Sequence, residues 1–539
     1  MTVHRPTHTA AIPSWGGSGQ GDRSDRRDPE PIMPDANTAL LAARPSQTRL
    51  STATLDRLAP GVERPAYDRA AVTPGIVHIG LGAFCRAHLA TYTDDVLATG
   101  DKGWGIVGVD PLSPAIRDAL KPQDCLYTLL VREENRDRLR VMGSFLDAMA
   151  TADQLDEVLA LMATPEIRIV TLTVTEKGYC QDAATGALDE THPLIRSDLA
   201  DPAKPRSVPG LLAEAIRRRR AAGVPPFTVL VCDNLAQNGI KVRGIVVRYA
   251  ELCDPDLAAY IAGQVGFPCT MVDRITPATQ DADRATVEEA TGCVDAWPVV
   301  SEPFKQWVIE DRFPLGRPAW EKAGAIMVED VHPFELMKLR CLNGAHSLLA
   351  YLSVIAGIET IAGAMADPQL PAVVQRLWAE DLIPTLPPVP GTDIPAYTAA
   401  LEARFRNPGI RHRTLQISSD GSQKLPPRLL EPARELFAAG KTPAVIPLAV
   451  AAWMRFLAQK DEAGTAYAVA DPMAALLTGI AGAHGDDAGA LAAALFAVED
   501  IFDPSLVAED AFRSAVVRHL DSLMRVGVAR TLAAFLATP

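Results

Sequence analysis

Long apolar runs are the first thing this sequence lacks. No uninterrupted stretch reaches the ~18 residues that a membrane-spanning helix needs. The best one, residues 444–454, is shorter and is followed by Arg455. The first residues hold no apolar core of a secretory signal. A surplus of positive charge is also missing: 52 Lys and Arg stand against 66 Asp and Glu, a formal net charge of −14. A nucleic-acid partner therefore has no electrostatic footing, and an anionic substrate needs a local basic pocket set against the global field. The eight cysteines are scattered, with no Cys-x-x-Cys among them. Neither a disulfide framework nor a zinc site is expected, and reduced thiols in the cytoplasm are the default. No internal repeat or coiled coil is found. What remains is a chain of 539 residues, 48% hydrophobic and 22% charged, which is the composition of a soluble protein with large cores and more than one domain.

Residues 1–47 are rich in Pro, Gly, Ser, Arg and Asp and bury too little apolar surface to order themselves. They read as a disordered extension, with Met33 an alternative start. A short helix is expected near 53–58. Residues 76–80 then read as a buried strand. This strand runs into Gly80-Leu81-Gly82, followed by a helical pattern through Leu97. Strand, Gly-x-Gly turn and helix are the context in which a dinucleotide pyrophosphate meets a helix N-terminus. The third glycine of that fingerprint is replaced by Cys85, so a generic tight turn remains the alternative. Asp110 ends a second strand, 28 residues beyond Gly82. It reads either as a ribose-binding acid that favours NAD over NADP or as a turn acid.

Further strands are expected at 141–145, 168–174 and 227–232, with helices at 151–162, where Thr151 is the expected cap, and at 211–222. The run Arg217–Arg220 reads as a solvated helix face. Asn234 stands just past the carboxyl end of a strand, where open α/β sheets bind ligands, whereas Asn238 fits a turn. Asp273 is a candidate partner for a buried base. Residues 280–300 read as a connection. Beyond about 330 the apolar periodicity becomes helical, at 368–382, 395–405, 427–438, 446–458, 487–498 and 510–536. The expected fold is therefore α/β: a Rossmann-like dinucleotide-binding domain over 48–328, then a mainly α-helical domain over 329–539.

The stretch 335–352 carries the chemistry. It reads as a helix whose leucine stripe is interrupted by Glu335, Lys338, Asn343 and His346. At about 100° per residue, Lys338, Asn343 and His346 share an arc of roughly 140°. One amine, one amide and one imidazole thus share a cleft wall, and a lysine in apolar surroundings loses solvation and moves toward neutrality. That makes a general acid/base without a metal. Taken alone, Lys338 also reads as a snorkelling surface lysine and His346 as a satisfied core histidine. Residues 407–426, dense in cations, read as either an exposed connector or a loop that recruits an anionic substrate.

Taken together, these motifs occur in one order in one family: Gly80-x-Gly82-x-Phe84-x-Arg86-Ala87-His88, the Thr-Glu-Lys-Gly-Tyr at 175–179, Cys-Asp-Asn-Leu at 232–235, Met-Val-Asp-Arg-Ile-Thr-Pro at 271–277, Lys338-x4-Asn343-x2-His346 and Asp-Gly-Ser-x-Lys at 420–424. Over residues 50–539 the chain resembles the long-chain mannitol dehydrogenase family, which includes mannitol 2-dehydrogenases and fructuronate reductases. The resemblance implies metal-independent hydride transfer between NAD(H) and a secondary alcohol. It makes Lys338 the general acid/base, with Asn234 and Asn343 holding the reacting oxygen. It also has His346 orienting the substrate, Asp273 and Glu335 tuning the lysine, and Lys424 reaching the substrate. The cofactor contacts it implies are Gly80, Gly82, Phe84, Arg86 and Asp110.

Gln416 stands where mannitol-type members carry arginine, Lys177 resembles the fructuronate reductases, and Cys85 replaces a usual histidine. Lys177, Arg413 and Lys424 are thus the expected anchors of a substrate carboxylate. The implied reaction interconverts D-fructuronate and D-mannonate. The alternative is a mannitol, arabinitol or sorbitol dehydrogenase. A non-catalytic dinucleotide sensor would have lost the lysine, the amides or the histidine, and all are present. The family's members often work as monomers, so a monomer or small homo-oligomer is expected.

Overall fold

Short runs of β-branched residues fill one buried parallel sheet, and the leucine- and alanine-rich remainder winds into helices. The computed structural model describes residues 48–133, 136–182 and 185–537. The expected disordered extension, 1–47, lies outside the described residues. Among them the strands are, in chain order, β1 Pro74–Ile79, β2 Gly105–Asp110, β3 Tyr127–Arg132, β4 Asp137–Met142, β5 Phe145–Ala150, β6 Ile169–Leu172, β7 Thr228–Val231, β8 Thr270–Asp273, β9 Val299–Ser301, β10 Gln306–Glu310 and β11 Ile326–Val328. Five of them form a parallel sheet in the order β5-β2-β1-β6-β7. Two three-stranded sheets, β11-β10-β8 and β4-β3-β9, complete the strand-bearing half. In the five-stranded order, β1 and β6 flank the point where the direction of strand progression reverses, the ligand-binding crevice of open α/β sheets. A buried histidine ties these two strands together: His78 of β1 bonds Thr171 of β6 (2.8 Å) and the Gly80 carbonyl (2.9 Å). Burial pushes its imidazole down to about 4, so it is neutral.

From His332 onward the chain is helical. Its apolar cluster takes in Leu348, Leu349, Trp378 and Trp453, and also Met271 of β8 and Val308 of β10, so one core joins the two halves. The helical expectations fall on Leu370–Arg376, Ile394–Arg406, Glu431–Ala438, Ile446–Phe456, Ala488–Phe496 and Asp510–Leu536. No described helix is long and apolar enough to cross a membrane.

Several local expectations are corrected. Residues 141–145 are not one strand, since β4 ends at Met142 and β5 begins at Phe145, with Gly143 and Ser144 between. The supposed connection 280–300 contains the helix Asp281–Thr291 and β9. Thr151 is the first helical residue rather than the cap, and its hydroxyl donates to the Pro111 carbonyl. The arginine run is not wholly solvated. Arg219 is buried, and its guanidinium donates to the carbonyls of Pro225, Met162, Thr164 and Ile167, in the loops that lead into β7 and β6 and at the end of the helix Thr151–Met162. A charge run read only from sequence hides the member that turns inward.

The stretch 335–352 is helical throughout but not uniformly α. An α-helix, His332–Met337, opens into a π-helical turn, Lys338–Gly344, and closes again as an α-helix, Ala345–Ile355. A second π turn, Pro426–Leu430, packs against the first. Gly344 permits this approach: a Cβ there would lie 3.2 Å from Leu382 and 3.3 Å from the Arg428 carbonyl. The 100° wheel therefore does not apply between Lys338 and His346, because π turns hold more residues per turn.

Candidate active site

Two segments from opposite halves of the molecule meet over Lys338. The first leaves β7 at Val231. Asn238 pins it from beneath, its Nδ2 donating to the carbonyls of Val231 and Thr270 (3.1 and 2.9 Å). Asp233 pins it from the side, accepting from the Val174 and Thr175 amides (3.0 Å each) and the Tyr179 hydroxyl (2.6 Å). Asn234 is thereby presented at the sheet's carboxyl edge, while Asn238 serves the turn, as its Asn-Gly context implies. The second segment is the π turn that begins at Lys338.

Lys338 is 9% exposed. Its Nζ donates to Asn234 Oδ1 and to the Val272 carbonyl, both at 2.6 Å. An ammonium has three hydrogens, so one is left for a ligand. Burial is the main cause that lowers the Lys338 pKa; Asp273 opposes it, and Arg404 and Arg428 add to it. The snorkelling alternative is thus overturned.

Asp273 is 5% exposed and makes no hydrogen bond to Lys338. Its carboxylate takes a two-pronged ion pair from Arg404 (2.7 and 3.0 Å), which also binds Glu302 (2.7 and 3.0 Å). Burial works against its charge, but Arg404 and then Lys338 hold its carboxyl below the usual range. Asp273 acts on the lysine through space alone. Glu335, one turn before Lys338, accepts from the Gln237 amide (3.1 Å). Burial pushes its carboxyl up to about 7. A narrow chamber of about 80 Å³, shared by Glu335, Asn234, Lys338 and Asn343, connects the two groups.

Beside this chamber opens a cleft of about 490 Å³, within the range of small-molecule sites. Lys338, Asn343, His346 and Asn234 all border it, so the expected convergence holds although the wheel that suggested it does not. His346 is 5% exposed, lies against Phe405 at 4.5 Å between ring centres, and meets the edge of His412 at 5.2 Å. Its Nε2 has no partner among the described residues. Burial holds the imidazole well below its ordinary value, so it is neutral. A buried ring nitrogen without a partner at a cleft wall is not a satisfied core histidine. Lys424 also borders the cleft, its Nζ bonded to Ser419 (3.0 Å) and paired with Asp420 (3.3 Å).

The expected carboxylate anchors fare unequally. Lys177 and Arg413 are exposed and line no part of the cleft; Glu176, the neighbour of Lys177, acts on Lys424 instead. The structure brings Arg274, Arg411, His412 and Arg428 to the wall in their place. Arg428 had a faint signal in the sequence, since it follows Lys424 by one helical turn. Arg404 had none beyond the need of a buried carboxylate for a cation, because it reaches Asp273 across 131 residues.

At the β1/β6 crevice the dinucleotide features sort cleanly. Gly80 adopts φ +100°, and a Cβ there would lie 2.1 Å from the Thr173 carbonyl, so only glycine fits. Gly82 faces open space, with nothing within 4 Å of an added Cβ, which leaves room for a pyrophosphate against its backbone. Phe84 stacks on His88 (4.9 Å) and borders the cleft, uniting the crevice and the lysine site. Asp110 ends β2, with Oδ1 accepting from the Leu112 and Ser113 amides (2.9 and 3.0 Å), so the turn role is realised. Arg86 is a correction: it is 2% exposed, bonds the Trp297 and Gly82 carbonyls, and lies over Tyr127, so it braces the turn from inside rather than standing open in the crevice. Cys85 is likewise buried, its thiol turned to the Gly82 carbonyl (3.1 Å). The helix after the turn is also shorter than expected: Ala83–Ala87 breaks at His88 before Leu89–Ala98. No group of described residues forms a metal-ligand cluster.

Comparison with known proteins agrees with this layout. Residues 74–322 match the model of the mannitol dehydrogenase Rossmann domain, and residues 330–524 that of the mannitol dehydrogenase C-terminal domain. D-Mannonate oxidoreductase of Escherichia coli (strain K12) is 46% identical over 418 residues, 77% of this chain and 86% of that one. Mannitol 2-dehydrogenase of Cereibacter sphaeroides is 44% identical over 414 residues, 76% of this chain and 86% of that one. The solved ternary complex of Pseudomonas fluorescens mannitol 2-dehydrogenase with NAD and D-mannitol is 41% identical, covers 91% of this chain and 100% of that one, and superposes with a TM-score of 0.81. A lysine braced by an amide at the mouth of a Rossmann crevice, and two domain models that together span most of the sequence, lead to one conclusion: the chain belongs to the mannitol dehydrogenase family.

Proposed function

We propose that this protein is an NAD-dependent oxidoreductase that interconverts D-fructuronate and D-mannonate, with Lys338 as its general acid/base. The observation that carries the chemistry is the buried Lys338 amine, held by Asn234 Oδ1 and the Val272 carbonyl with one hydrogen left over. Bound NADH supplies the hydride to the ketone carbon. The Asn234 amide nitrogen and Asn343 donate to the oxygen on which charge develops, an arrangement that stabilises an alkoxide most in a water-poor site. Lys338 gives its free hydrogen to that oxygen. Its lowered pKa eases this transfer and lets the neutral amine act as base in the reverse direction. Glu335, poised near 7, exchanges the proton with solvent through the narrow chamber. Neutral His346 offers Nε2 to a substrate hydroxyl and fixes its orientation.

The Gly80–Gly82 turn at the switch of strand order supports the cofactor. The choice of a sugar acid over a polyol is supported by the cations of the cleft wall, Arg274, Arg411, Lys424 and Arg428, and by the similarity to D-mannonate oxidoreductase. Eight free thiols, seven of them buried, support a cytosolic setting. The test is NADH oxidation with D-fructuronate and, in parallel, D-fructose. A clear preference for fructuronate is expected. A preference for fructose would replace this reading with a polyol dehydrogenase.

A further inference from the structure

We propose that Arg428 is the specificity-determining residue that receives the carboxylate of the substrate. This deepens the sugar-acid reading above and rests on it. The argument is one of elimination among the cations around the cleft. Arg404 is neutralised by Asp273 and Glu302. Arg274 is spent on the carbonyls of Glu302 and Ala87. Lys424 is paired with Asp420 and held by Ser419. Arg411 is exposed to water, where an ion pair gains little.

Arg428 differs from all of these. It lies in the π turn Pro426–Leu430 and borders the cleft. Among the described residues no carboxylate reaches it within ion-pair distance, and Asp420 acts on it only from further off. Its partners are neutral: Nη1 donates to the Ser347 hydroxyl (3.1 Å) and the Asn343 carbonyl (3.4 Å). Nε and Nη2 donate to no described residue, so one edge of the guanidinium fork is left, the geometry that matches a carboxylate with two parallel hydrogen bonds. Burial pushes this guanidinium down to about 10, as it does that of Arg274; what sets Arg428 apart is its open edge and its lack of a counter-charge. A substrate carboxylate supplies that charge.

The position also suits the reaction. Arg428 bonds the backbone of Asn343, whose amide faces the reacting oxygen, and its charge is felt by Lys338 and His346. A ligand held at Arg428 by its acid end is therefore registered against the amide and lysine that act on its ketone. Gln416, also on the cleft wall, is neutral and adds no charge to compete for the acid.

The test is the ratio of kcat/KM for D-fructuronate to that for D-fructose, in the wild type, Arg428→Gln and Arg428→Lys, with NADH binding by fluorescence as the check on folding. A charge-assisted fork is worth a factor of roughly 10 to 100. The ratio is expected to fall by about that factor in Arg428→Gln, mainly through KM for fructuronate, and by less in Arg428→Lys. Equal losses on both substrates, or an unchanged ratio, would overturn the assignment while leaving the sugar-acid reading intact. A wild type that does not prefer fructuronate would remove that reading, and this inference with it. If Arg428→Gln does not bind NADH, the comparison rests on Arg428→Lys, and an unchanged ratio there overturns the assignment.

Discussion

Replacing Arg404 with methionine keeps an aliphatic stem of similar reach and removes the charge that stands between Asp273 and Glu302. All three side chains are nearly inaccessible, at 6%, 5% and 2% exposure. Removing one partner of a buried ion pair costs about 3–5 kcal/mol, because the charge left behind is uncompensated. Unfolding entropy grows by about 2 cal/mol/K per residue, so in a chain of this length 1 kcal/mol moves Tm by about 1 °C. Arg404→Met is therefore expected to lower Tm by about 3–5 °C near neutral pH.

The pH dependence carries the sharper signature. In the wild type Asp273 is held below the usual carboxylate range, so its contribution is present above the unfolded value and is lost as pH falls toward the folded one. Without Arg404 the same carboxyl is left to burial, which raises its pKa, and Glu302, which burial already holds high, rises further. Groups raised in this way cost stability as pH climbs through their unfolded values. The deficit of Arg404→Met should accordingly be larger at pH 8 than at pH 5. Differential scanning fluorimetry at the two pH values reads both quantities. A drop of less than 1 °C, or a deficit that grows toward acid, would refute the account of the triad.

Other predictions follow from the same geometry. Gly80→Ala drives a Cβ into the Thr173 carbonyl and should abolish soluble expression or NADH binding. Gly82→Ala meets nothing in the protein and should keep the wild-type Tm while weakening NADH binding at least about tenfold, measured by fluorescence titration. Gly344→Ala forces the two π turns apart by a few tenths of an ångström; a Tm lower by about 1–2 °C and a reduced kcat are expected, from overpacking of about 1–2 kcal/mol. Glu335→Gln removes the carboxyl near 7, so the bend of the kcat profile around neutrality should disappear. An unchanged bend would take Glu335 out of proton exchange.

The site was legible where its residues share one stretch. Lys338, Asn343 and His346 lie within a single helical run, and all border the cleft. The sequence did not reveal that a π turn, rather than an α wheel, sets their directions. Motif membership also misassigned roles. Arg86 sits inside the cofactor motif yet faces the core, and Lys177 and Arg413 sit in family motifs yet face solvent, because spacing along a chain does not report the direction of a side chain at a loop. Arg404, and all but a faint trace of Arg428, were illegible for another reason. Their partners, Asp273 and Ser347, lie 131 and 81 residues away, and only tertiary packing brings them together. The Rossmann-like alternation of strand and helix was readable because most strands of the parallel sheet are short apolar runs, whereas the strand order, and the pairing of β3 with the distant β9, come from tertiary packing.

The central claim is that Lys338 carries the proton. Single-turnover reduction of D-fructuronate by NADH, compared between the wild type and Lys338→Ala, tests it most directly. The account predicts a rate lower by three orders of magnitude or more, of the size expected for general acid catalysis combined with a lost oxygen-binding hydrogen, with NADH binding within about threefold of the wild type. A rate within about tenfold of the wild type would contradict it.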